Sequence, residues 1–175
     1  MNHSRNSIIA AVLRLFALIG RFRPAVAALL LVVMTAASSG RASAAADEAQ
    51  ARAVFLQFVA AQNAHNASDV RAMLWNSPDM LSVTRGVQTK GADAVAARFK
   101  EYYEGTWHLE PDMSQFHAAT MSNDVMQILV PILFTRGLPG KPPRDDVFLI
   151  SQTFVREGSS WFVASIFPVA NTQIK

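Results

Sequence analysis

The chain of 175 residues holds four histidines, 13 carboxylates and no cysteine, so any chemistry it performs must come from imidazole, acid, hydroxyl, amide, amine or guanidinium groups. The lack of a thiol removes cysteine nucleophiles, and there is no G-x-S-x-G turn to raise a serine. No glycine-rich loop follows a strand to cradle phosphate. His108 and His117 with Glu110 and Asp112 between them have the composition of a two-histidine, one-carboxylate metal centre, which needs convergent ligands. Alternation in the strand around Thr106–Leu109 instead turns His108 away from whatever Trp107 packs against. His65 falls in a helix-ending turn and reads as surface. No metal and no cofactor are expected.

Recognition is better supported than reaction. In the strand read over Asp146–Arg156, Phe148, Ile150, Gln152 and Phe154 share one face. Gln152 is then a polar group in an apolar row, and a buried amide without partners costs about 1–3 kcal/mol. It either bonds backbone or faces a wet cavity. Two arginines end apolar rows in the same way: Arg85 after Leu81 and Val83, and Arg136 after Ile132 and Phe134. Each is either a snorkelling side chain with its head in water or a planar fork at a cavity mouth, able to take a carboxylate or phosphate. Trp75 and Trp107 flank the helical half and pack as core and rim, or form a cavity lip with Tyr102 and Tyr103. The cavity candidates are therefore Trp75, Arg85, Trp107 and Gln152.

Periodicity supplies the elements that would hold these side chains. Ala51, Phe55, Phe58 and Gln62 recur at helical spacing between Ala46 and Ala64. "NAHNASD" (Asn63–Asp69) breaks that helix, with Ser68 as N-cap of a second one running to Trp75. "NSPD" (Asn76–Asp79) is a turn. Short strands follow at Met80–Arg85 and Val87–Lys90, then a third helix at Ala92–Tyr103 with Gly105 as a left-handed stop. From there the period is two. Strands are expected near Thr106–Leu109, Gln115–Thr120, Asp124–Thr135, Asp146–Arg156 and Trp161–Pro168. Pro131 within the long central strand argues for a bulge or an unpaired edge. Helices first and strands afterwards give an α+β domain: a curved antiparallel sheet wrapped around three helices, with a conical cavity between the layers.

Not all of the chain belongs to that domain. Arg5, Arg14, Arg21 and Arg23 precede the apolar run "AVAALLLVVMTAA" (Ala25–Ala37), and Ala42-Ser43-Ala44 fits a small-residue cleavage site. This is the secretory signal pattern. The apolar run is about 20 Å long as a helix, short of the ~30 Å hydrocarbon core. The basic region is long and carries its own apolar stretch, Ile8–Ile19, which fits a later start or an uncleaved interfacial segment. Residues 1–44 are thus expected to be a signal peptide and 45–175 the domain, exported to the periplasm or secreted, with no stable membrane span after cleavage. Five of the 16 Lys and Arg leave with the leader while all 13 Asp and Glu stay, so the net charge turns from +3 to −2. No basic stripe survives for a nucleic-acid partner. Without cysteines, packing alone must stabilise the exported fold.

The stretches "FVAAQNAHNASDVRAMLWNSPD", "VTRGVQTKGADAVAARF" and "SSWFVASIFP" together resemble the nuclear transport factor 2-like superfamily, which includes ketosteroid isomerases and SnoaL-like cyclases. The likeness implies a cystatin-like α+β roll over the whole domain, and a sheet that can pair two copies. It does not carry the known catalytic residues across. With Asp69 on the family's turn acid, Ala61 stands where the isomerases have a tyrosine, and the base falls at Thr84 or Arg85. Neither replaces a tuned carboxylate. The paired histidines and tyrosines of scytalone dehydratase are not matched cleanly either. The expectation is a cavity for a small, partly apolar ligand, an anionic one included. The alternatives are an isomerase or cyclase using an acid such as Asp79, and a homodimeric interaction module.

Overall fold

The computed structural model describes residues 45–84 and 86–170; the expected leader lies outside them, as does Arg85. Helix α1 covers residues 45–63. Its stripe of Ala51, Phe55, Phe58, Val59 and Gln62 is buried, as its spacing demands. The chain reverses through His65, whose φ of 53° is left-handed, into α2 (Ala67–Met73). Ser68 does not cap α2. The cap is Asn66, whose Oδ1 accepts from the Asp69 backbone N–H at 3.1 Å and from the Ser68 hydroxyl at 2.8 Å. The helix also ends two residues before Trp75, because Leu74 is extended and bridges Val163.

Strands β1 (Leu81–Thr84) and β2 (Val87–Lys90) form a hairpin, and α3 (Ala92–Tyr103) follows with Val95 and Phe99 buried. Then come β3 (Thr106–Pro111), a 3₁₀ turn (Met113–Gln115), β4 (His117–Ser122), β5 (Val125–Gly137), β6 (Arg144–Glu157) and β7 (Ser160–Ala170). The sheet order is β2-β1-β7-β6-β5-β3, with β4 also on β5. Among the described strands all pairs are antiparallel except β1 with β7, which is parallel. The fold is α+β, with the helices on one face of the sheet.

That face carries the core. Met126, Ile128, Val130, Ile132 and Phe134 of β5 alternate inward, opposite Phe154, Gln152, Ile150, Phe148 and Asp146 of β6. Phe55, Phe58, Phe154 and Leu74 are at most 1% exposed, each burial contributing about 1.5–3 kcal/mol.

Of the two outcomes expected at Pro131 the structure has the unpaired edge and no bulge: the β5–β6 register runs through it unbroken, opposite Leu149. Its other side faces the gap where β3 ends (Pro111 opposite Ile132) and β4 begins (His117 opposite Leu129), so no strand there needs the N–H that proline lacks. Its carbonyl is used, accepting from Asp112 N–H at 2.8 Å. Gly105 is not left-handed. It is small because a Cβ there would lie 2.1 Å from the Gly137 carbonyl oxygen.

Candidate functional site

Gln152 lies where its strand parity put it, on the helix-covered face in the middle of the sheet. It is 3% exposed, between Ile128 on β5 and Ile166 on β7. Its Oε1 is buried and accepts no hydrogen bond from any of the described residues. The neighbouring outward positions behave differently: Thr153 and Ser165 bond each other through their hydroxyls at 2.9 Å, and Gln127 donates to Ser151 at 2.5 Å. The polar groups of the outer face are paired, whereas this amide oxygen on the inner face is not.

Trp107 stands on the same face but at the other end. It is opposite Arg136, and Gln152 is opposite Ile128, eight residues along β5 or about 26 Å of strand. Trp107 stacks on Tyr102 with ring centroids 4.8 Å apart and planes 3° off parallel. It meets Phe134 edge-on at 5.3 Å and Phe99 at 6.1 Å. Its indole N–H is buried and donates to none of the described residues. Tyr103, one helical position on from Tyr102, also has a buried, unbonded hydroxyl, and burial raises its phenol well above the ordinary tyrosine value. His65 closes this end, stacking on Tyr103 at 4.8 Å and donating Nε2–H to the Trp107 carbonyl at 3.0 Å.

Trp75 joins neither group. Its backbone N–H bonds the Val163 carbonyl at 2.9 Å and its indole donates to Glu157 at 2.8 Å, at the β6–β7 hairpin. Trp107, Tyr102 and Tyr103 therefore cluster without it. Of the row ending in Arg85, Leu81 pairs with Ser165 on the outer face, while Ser82 pairs with inward Ile166. Asp79 is exposed in the turn before β1, away from the helix-covered face. His108 is exposed on β3 beside Glu110, at 3.3 Å.

Arg136 has a partner that its place in the sequence did not reveal. Its Nε and Nη2 donate to one Asp146 oxygen at 2.9 and 2.7 Å, and its guanidinium lies 4.9 Å from the Phe148 ring centroid. The hydrogen bond from Arg136 holds the Asp146 carboxyl below the usual carboxylate value. β6 begins at Arg144, opposite Arg136, so the expected hairpin loop is shorter than Gly137–Asp146, and that is what places the pair.

A sheet with one helix-covered face, reached through α-α-β-β-α and closed by long antiparallel strands, defines the nuclear transport factor 2-like fold. Solved structures of that fold match this chain. A protein of Caulobacter vibrioides with a cystatin-like fold aligns at TM-score 0.63 and 13% identity, over 71% of this chain and 89% of that one. A nuclear transport factor 2-like protein of unknown function from Shewanella oneidensis aligns at 0.57 and 11%, over 70% and 98%. The CamKII hub homology domain of Chlamydomonas reinhardtii aligns at 0.57 and 14%, over 72% and 99%. At such identities the likeness is one of fold. No model of a protein family matches the chain, and no curated protein matches its sequence.

Proposed function

We propose that this protein is exported and binds a small, partly apolar molecule against the helix-covered face of its sheet. The observation that carries the reading is Gln152: an amide carbonyl that is 3% exposed, unbonded, and set among Ile128, Ile150, Phe154 and Ile166. A buried acceptor of this kind is costly, and a ligand donor would offset that cost. The apolar neighbours fit the carbon part of such a ligand. Export rests on the leader read in residues 1–44, and the periplasm or the exterior is the destination it implies. Among the described residues no helix is long and apolar enough to cross a membrane. The alternative isomerase or cyclase finds no support at Asp79, which faces solvent.

Thermal unfolding against a panel of small apolar amides, alcohols, carboxylates and phosphates tests the reading. A ligand at 100 times its dissociation constant adds about 2.7 kcal/mol, a shift of several degrees. The same ligand should move the midpoint of Gln152→Leu by about half as much or less. A panel with no effect on either protein would count against the proposal.

A second reading, compatible with the first, is a homodimer through the outer sheet face. Leu129, Pro131 and Leu133 of β5 lie in register with Val147 and Leu149 of β6 and with Phe167 and Val169 of β7. Leu129, Val147 and Val169 are 36, 45 and 53% exposed. A contiguous apolar patch on a sheet is the usual mark of an interface. The likeness to a hub homology domain supports assembly as well.

A further inference from the structure

Among the described strands β3 pairs with β5 alone, so one side of it is an edge of the sheet. Side chains from the turn between α1 and α2 occupy that edge. Asn63 donates Nδ2–H to the Leu109 carbonyl at 2.9 Å, and its Oδ1 accepts the Leu109 backbone N–H at 2.8 Å. One amide thus takes both backbone groups, as a residue of a neighbouring strand would. His65 donates Nε2–H to the Trp107 carbonyl at 3.0 Å. Antiparallel pairing alternates, so Leu109 faces away from β5 and Trp107 and Pro111 do the same. Pro111, the third outward residue, has no N–H to offer.

Open sheet edges recruit strands from other chains, and folds blunt them with charge, proline, shortness, bulges or cover. The other edges are blunted by ordinary means: β2 is four residues long and ends in Lys90, and β4 breaks register between Thr120 and Ser122. β3 runs six residues with no break in its pairing to β5. We infer that Asn63 and His65 are a plug that keeps a second copy of this chain from adding a strand to β3. Their bonds fall on residues two apart, the period of a strand edge. β3 is also its own complement. Antiparallel pairing about His108 sets outward Trp107 against outward Leu109 of the other copy, exchanging the bonds that the turn now satisfies. Glu110 would then face Thr106, so no two carboxylates meet. His65 holds a left-handed φ of 53°, alone among the described non-glycine residues, and its ring is fixed on Tyr103 at 4.8 Å. The plug rests on neither the ligand reading nor the outer-face patch.

Sedimentation velocity with amide hydrogen exchange tests this, the Leu109 N–H serving as reporter. In the parent that N–H should be protected at every concentration. Asn63→Ala should lose protection roughly tenfold in dilute solution, as loss of a hydrogen bond implies. It should regain it as concentration rises, while sedimenting above the parent's own state. Asn63→Lys breaks the same two bonds but returns a charge to the edge, so it should keep the parent's state with Leu109 unprotected. Side chains that only steadied the fold would make the two variants behave alike. His65→Gly keeps the left-handed backbone and frees the Trp107 carbonyl, so it should associate too, more weakly; it carries the test if Asn63→Ala fails to fold. Equal association of the alanine and lysine variants overturns the plug. So does an Asn63→Ala chain, or in its place a His65→Gly chain, that keeps the parent's state at every concentration.

Discussion

Tyr103 and Gln152 bury polar atoms for which the described residues supply no partner, and each has a measurable consequence. For Tyr103 the direction is set by burial, which raises the phenol in the folded chain. A raised value means that its contribution to stability is complete below the unfolded tyrosine value near pH 10 and is lost as pH rises beyond it toward the folded one. Alkaline titration of the unfolding free energy should therefore fall less steeply above about pH 10 in Tyr103→Phe than in the parent. Equal slopes would mean the phenol is not desolvated. For Gln152, replacing the orphaned amide by a leucine of similar reach should raise stability by about 1–3 kcal/mol, because the desolvated carbonyl disappears. A denaturant midpoint that drops instead would place a partner on Oε1. Gln152 was legible in the sequence because strand parity alone sets it among Phe148, Ile150 and Phe154. The Arg136–Asp146 pair was not, since it depends on hairpin register, which "GLPGKPPR" leaves open.

Elements were read well where one periodicity ran uninterrupted. The helix at Ala92–Tyr103 and the strand at Val87–Lys90 have the bounds their patterns implied. Expectations failed where a contact distant in sequence decided the outcome. Ser68 and Asn66 are both good caps in isolation, and the structure uses Asn66, whose Oδ1 takes both the Asp69 N–H and the Ser68 hydroxyl, while Leu74 ends the helix by bridging Val163. Gly105 looked like a helix stop, but its smallness serves the approach of the Gly137 carbonyl. Gly105→Ala should thus push β3 off β5 at that end and destabilise by about 1–3 kcal/mol, as overpacking does. A left-handed stop would instead tolerate asparagine, so the pair Gly105→Ala and Gly105→Asn separates the two roles. Comparable losses in both, measured by chemical denaturation, are the expected result.

For the whole molecule, the order of helices before strands was enough to give an α+β fold with one covered face, because each amphipathic element has only that surface on which to bury its stripe. What the sequence left open was which side of β1 points inward, since four residues with both apolar and polar positions suit either face. The uncovered side then carries the second expectation. If the patch of Leu129, Leu133, Val147 and Val169 joins two copies, a charge at its centre should divide them. Analytical ultracentrifugation should give a dimer for the parent chain and a folded monomer for Leu129→Asp. A parent that sediments as a monomer at all accessible concentrations would dispose of the interface.

The ligand-binding claim itself is tested most directly by calorimetric titration of the best ligand from the unfolding panel into the parent and into Gln152→Leu, at several temperatures. Burial against Ile128, Ile150, Phe154 and Ile166 should give a negative heat-capacity change in the parent. Affinity in Gln152→Leu should fall about tenfold or more, as expected when a buried hydrogen bond is lost. Equal affinity in the two proteins would contradict the account, because the ligand would then bind away from the one amide on which the proposal stands.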